Sequence, residues 1–209
     1  MKMQMPNMRR GWYAGIMTLV LVVAIIVVVI LGISVVSALI QKRNLDALVN
    51  TNLSAPELAS VATQQQQNGD LSGAEQSLEQ AMLKQPSSDY ESQLAVVKYR
   101  LKDYSDSITE YQKLITAGQD EAFAWNGIGN AYRDWALTDT ANRTSRETSA
   151  LNAYTQSVSI DAGYVSAYQN KALLLDDMGQ KTQAIQVAED GYSKTQEKQL
   201  QDLVSRLED

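Results

Sequence analysis

Two patterns of apolar residues divide the chain. From Ile16 to Ile40 the sequence reads IMTLVLVVAIIVVVILGISVVSALI, 25 residues without a charge; about 20 suffice to cross the hydrocarbon core of a bilayer. A helix satisfies its own backbone in lipid, so residues 16–40 predict a single transmembrane helix, although valine and isoleucine favour strand in water. Trp12 and Tyr13 stand before the run as an interfacial aromatic pair, and Arg9 and Arg10 close a short basic tail over 1–15. After Gln41 the pattern changes to apolar residues three, four and seven apart, the spacing that shares one helix face. Leu45, Leu48, Val49 and Leu53 predict a stalk over 41–53, and Ser54-Ala55-Pro56-Glu57 reads as a capping box that opens a bundle. At the other end, over 194–209, Leu200, Leu203, Val204 and Leu207 share a face, as a closing helix requires.

Between these ends one run is especially informative: Trp125-Asn126-Gly127-Ile128-Gly129-Asn130-Ala131-Tyr132. Trp125, Ile128 and Tyr132 fall on one helical face, and Gly129 leaves room for a neighbouring helix. This W-x-x-I-G-x-x-Y run resembles the first helix of a tetratricopeptide (TPR) repeat. The resemblance extends to other registers. Gly69-Asp70-Leu71-Ser72-Gly73-Ala74 with Leu78, Ala81 and Pro86 looks like the turn, second helix and closing proline of the family, after a first helix with Leu58, Val61 and Ala62. Leu94-Ala95, Lys102-Asp103-Tyr104, Ser107, Tyr111 and Leu114 form a degenerate second copy, and Tyr168, Ala172, Leu175, Gly179, Ala184, Ala188 and Gly191 form the last. The resemblance implies an all-α fold: a TPR array over 54–193, with three to four helix-turn-helix repeats at about 55–88, 89–121, 122–164 and 165–193, closed by a capping helix over 194–209. The family's period is about 34 residues, but Trp125 and Tyr168 stand 43 apart. The polar segment Leu137 to Glu147 is expected to hold the extra residues as an exposed loop.

Composition narrows the function. The chain has no His and no Cys, which removes the commonest general base, metal ligand and thiol nucleophile. Asp176-Asp177 is a tempting carboxylate pair, but adjacent helical residues point about 100 degrees apart. The chain is therefore expected to be no enzyme and to hold no cofactor and no metal. All 24 Asp and Glu follow the apolar run, with only 15 of the 18 Lys and Arg; so acidic a region offers no basic patch for nucleic acid. Lys2, Arg9 and Arg10 before the run against Lys42 and Arg43 after it favour a cytoplasmic N-terminus and repeats beyond the cell membrane. A secretory signal peptide has a shorter apolar core, about 7–15 residues. Arg9-Arg10-Gly11 before a long apolar helix resembles a type IV prepilin, but Ile16 stands where that family has glutamate.

In the TPR family the first helix of each repeat lines a concave groove. That resemblance implies a protein or peptide partner held by Thr63 and Gln66, Ser92, Val96 and Tyr99, Asn126, Asn130 and Arg133, and Gln169, Asn170 and Leu173. Asn126, Asn130 and Asn170 lead this set, since a primary amide donates and accepts at once and can hold an extended backbone. Co-chaperone clamps of the family grip a terminal carboxylate with lysines, and here Ala59 and Thr63 occupy the corresponding first-repeat positions, which argues against a chaperone C-terminus. The layout resembles small bacterial proteins with one N-terminal span and an extracytoplasmic TPR domain. Gly15, Gly32, Ser34 and Ala38 are small residues through which two spans can approach, so the apolar helix is a candidate for homo-oligomer contact.

Overall fold

The computed structural model describes residues 53–209. The expected basic tail, transmembrane helix and nearly all of the stalk lie outside the described residues. Among the described residues there are nine α-helices and no strand. We number them α1 (Ala55–Gln67), α2 (Leu71–Lys84), α3 (Ser88–Arg100), α4 (Tyr104–Thr116), α5 (Glu121–Thr138), α6 (Arg143–Ile160), α7 (Val165–Asp177), α8 (Lys181–Thr195) and α9 (Lys198–Glu208). They form four antiparallel pairs, α1–α2 through α7–α8, followed by α9. No helix among these residues is long and apolar enough to cross a membrane.

Local chemistry explains the boundaries. The Glu57 carboxylate accepts from the Ser54 backbone N–H at 2.7 Å and from its hydroxyl at 2.6 Å, which closes the start of α1. Asp70 accepts from the Gly73 N–H at 3.0 Å and opens α2. The turn inside three of the pairs needs one left-handed residue: Gly69 at φ 79°, Lys102 at φ 67° and Gly179 at φ 74°. Lys102 adopts this conformation without the freedom of glycine, so the second pair keeps the turn despite its degenerate sequence.

The third pair is built differently, and the expected loop from Leu137 to Glu147 is corrected by the structure. Both of its helices have 18 residues, against 13 in each of the preceding α3 and α4. Only a short 3-10 turn, Thr140–Asn142, and its flanking Asp139 interrupt them. The extra residues lengthen both arms of a hairpin by more than one turn each, because the tip satisfies itself. Arg146 pairs with Asp139 through Nε at 3.0 Å and through a second nitrogen, and its guanidinium lies 3.3 Å from the centre of the Trp135 ring. Arg143 adds an ion pair to Glu147 at 2.7 Å. The last boundary also differs from expectation: α8 continues through Thr195, and α9 starts at Lys198.

Small residues set how closely the helices approach. A Cβ on Gly129 would fall 2.4 Å from the Tyr154 ring of α6, and one on Gly127 would fall 2.3 Å from the Tyr111 ring of α4. The run from Trp125 to Tyr132 is thus gripped from both sides. Ile128 and Ala131 are buried beside these glycines, whereas Trp125 and Tyr132 are only half-buried against the same cluster. Of the three residues that share a face, Trp125, Ile128 and Tyr132, only Ile128 is therefore fully buried.

Candidate functional site

The first helices of successive pairs lie side by side: α3 touches α5, α5 touches α7, and α7 touches α9. A polar bond bridges every step of this row. Arg100 of α3 donates to the Gln66 side chain of α1 at 3.3 Å. The Tyr99 hydroxyl of α3 donates to the Asp134 carboxylate of α5. The Asn170 amide of α7 donates to Oδ1 of both Asn126, at 3.0 Å, and Asn130, at 3.1 Å. Gln169 of α7 donates to Gln199 of α9 at 3.2 Å. The surface named from the sequence is therefore a ladder whose rungs are largely the named residues.

This ladder divides their roles. Asn126 is 7% exposed, and its carbonyl oxygen is occupied by Asn170. Asn130 Oδ1 accepts from Asn170 and also from the Tyr154 hydroxyl at 2.9 Å. Both asparagines hold neighbouring helices together, with their own N–H groups left over. Tyr99 is half-buried; burial first, and then its bond to Asp134, pushes its phenol up to about 12. Arg133 donates to Asp134 at 2.8 Å, which holds that carboxylate between two donors. Ser92 is half-buried, and Val96 packs on the central cluster. Thr63 is exposed and donates to its own helix at the Ala59 carbonyl, 3.0 Å away.

At the C-terminal end of the row the surface opens into a cleft of about 410 Å³ between α7 and α9. Gln169, Asn170 and Leu173 form one wall, all named from sequence. Gln199, Leu203 and Arg206 contribute the other; they are absent from the residues named from sequence, where the closing role of α9 is favoured over partner binding. A signal was present: residues 199, 203 and 206 are four and three apart and share a face. Asp202 at the rim is paired with Lys198 at 3.7 Å.

Sequence reading also missed Lys98. Its side chain is 11% exposed and faces Glu110 at 3.5 Å and Glu75 and Asp106 at 3.8 Å, so carboxylates from α2 and α4 enclose a lysine of α3. Lys113 reaches Glu110 from the outside at 2.6 Å. The cage sets two lysines against three carboxylates and joins the first two pairs.

No protein-family model matches the chain, and no curated protein matches it. Solved structures do. The chain superposes on a thermophilic TPR protein, TTC0263, from Thermus thermophilus with a TM-score of 0.60 at 13% identity, covering 74% of this chain and 81% of that one. The fold is TPR-like. A TPR protein from Parabacteroides merdae gives 0.55 at 16% identity over 74% of this chain and 60% of its own. MamA from residue 41 onward, from Desulfovibrio magneticus RS-1, gives 0.56 at 14% identity over 73% and 82%. At these identities the likeness shows the architecture, and the TPR-like row of first helices is what the sequence of this chain decorates in its own way.

Proposed function

We propose that this protein is a membrane-anchored interaction scaffold whose TPR-like row of first helices holds a peptide or partner subunit at the outer face of the cell membrane, in envelope assembly, secretion or pilus biogenesis. The observation that carries this reading is the α7–α9 cleft, where Gln169 and Asn170, both expected to bind, meet Gln199 and the Arg206 guanidinium over Leu173 and Leu203, with Asp202 at the rim. Amides, one cation and an apolar floor are the ingredients for holding an extended backbone with an occasional side-chain anchor. The uncharged run from Ile16 to Ile40 supports the anchor, and the basic residues before it support the orientation.

The test is photocrosslinking in membranes of the producing cell. A photoreactive side chain at Gln199 should capture a distinct second protein, and one on the opposite surface at Thr109 should not; equal capture from both sites rejects the groove. Orientation is checked separately, since the chain has no Cys: Gln119→Cys should react with a membrane-impermeant maleimide in intact cells, and protection until lysis would reverse the assigned side. A second reading, a structural subunit with a pilin-like apolar helix, is favoured by Arg9-Arg10-Gly11. Self-crosslinks from Ser34 or Ala38 without any groove crosslink would select it.

A further inference from the structure

The seam position that holds Val61, Leu94 and Ile128 in the first three pairs holds Lys171 in the fourth, 43 residues after Ile128. Leu94 and Ile128 are 6% and 2% exposed and Val61 is half-buried, so this slot faces inward. A lysine there breaks the local rule of the array, and such breaks mark functional places. The reason is not an internal ion pair. Lys171 makes no hydrogen bond and no salt bridge among the described residues; the nearby Asp190 carboxylate is taken by Lys194 at 2.7 Å.

Lys171 instead faces a cleft of about 530 Å³ between α6, α7 and α8, which is a different surface from the α7–α9 cleft. Its apolar lining is Leu151, Leu175 and Val187, and Gln183 and Gln186 stand at the edge. Burial draws the ammonium below the usual lysine range and Lys194 adds to this, while Asp190 opposes it. A half-buried cation beside an apolar lining is relieved by an anion that brings its own apolar body. We propose that this cleft binds a small amphiphilic carboxylate, with the carboxylate on Lys171 and the Gln183 and Gln186 amides and the apolar body against Leu151, Leu175 and Val187. The volume falls within the range of small-molecule sites, about 300–1,000 Å³. Of the charged groups facing the ligand, Asp190 would repel it, and Lys194 cancels that repulsion.

The experiment uses the full chain and hexanoate as the probe, with hexan-1-ol and hexylammonium as controls that share the body and change the head. Competitive acetylation followed by peptide mass spectrometry reads each lysine separately. A ligand of this size binds in the millimolar range, so hexanoate a few times above its dissociation constant should slow acetylation of Lys171 about threefold. Lys98, Lys113 and Lys181 should stay unchanged, and neither control should protect. Methyl NMR supplies a readout that survives removal of the lysine. Hexanoate should shift the Leu151, Leu175 and Val187 methyls in the parent and in Asp190→Asn, and should fail to shift them in Lys171→Met. Lys194→Met should also weaken binding, because it frees Asp190 to pair with Lys171. Equal protection by hexan-1-ol, or hexanoate shifts that persist in Lys171→Met, would overturn the proposal.

Discussion

The second and third helix pairs solve one packing problem in opposite ways. At the register where α5 carries Tyr132, α3 carries Lys98. Around Tyr132 the space is filled by rings: Tyr132 stacks with Trp135 at 6.5 Å and Trp135 lies 6.3 Å from Tyr104, with Arg146 over Trp135. Around Lys98 it is filled by carboxylates from the helices on either side. The ring version depends on area removed from water and tolerates partial exposure. The ionic version depends on Lys98 and Glu110 together, since either one left alone is a buried charge. A solenoid slot thus accepts either chemistry, but the ionic one is brittle.

The sharpest way to break the comparison is Lys98→Met, which keeps the stem and removes the charge. It should lower stability by about 3 kcal/mol, the low end for a broken buried ion pair, because Lys113 still reaches Glu110; urea unfolding reads this, and a loss under about 1 kcal/mol would mean the cage is solvated. Next comes Gly127→Ala. A methyl placed 2.3 Å from the Tyr111 ring forces the second and third pairs apart, for a net loss of about 1–3 kcal/mol by thermal melting. Parent-like melting would show that Tyr111 swings clear. Asn170→Ala should cost about 1–2 kcal/mol through two lost hydrogen bonds and should increase hydrogen exchange in α7 more than in α3; uniform exchange would deny that the rung is local.

The smallest effect is a pH response of opposite sign in the two regions. Asp139 is held below its ordinary 3.8 by Arg146 and then Asn142. Its contribution to stability is therefore complete above that ordinary value and is lost as the pH falls through the lowered one. Glu75 is raised from its ordinary 4.5, chiefly by burial, so its contribution is complete below 4.5 and is lost as the pH rises through the raised value. On acidification the Trp135 indole resonance should move with loss of the Asp139–Arg146 contact, while protonation of Glu75 relieves its own desolvation cost. A Trp135 resonance that stays fixed through the acid range would separate the ring from the latch.

Much of this was legible in the sequence because it depends on neighbours along a helix. Small residues at 129, helical periodicity and the turns at Gly69 and Gly179 are local facts, and they led to an all-α paired array that the TPR-like fold upholds. What escaped depends on neighbours across helices. Periodicity says which face Lys98 shares, and nothing in it says that Glu75 and Glu110 wait on that face. The segment from Leu137 to Glu147 looked like a loop because its residues are polar, yet Asp139 and Arg146 seven positions apart tie a hairpin tip whose arms remain helical. Asn126 and Asn130 are expected from sequence to face a groove, and the arrival of Asn170 from the next pair makes them a rung between helices and leaves α9 to form the far wall of the open cleft.

The longer third pair has a consequence for how the array comes apart. In stacked repeats each unit is steadied by its own hairpin and by the units on either side. Five more residues in each arm of α5 and α6 than in α3 and α4, a closed tip and contacts on both flanks make this unit the strongest link. Unravelling should start at the ends and stall there. The slowest-exchanging amides will then lie in α5 and α6, and the hairpin will be the seed from which the chain rewinds.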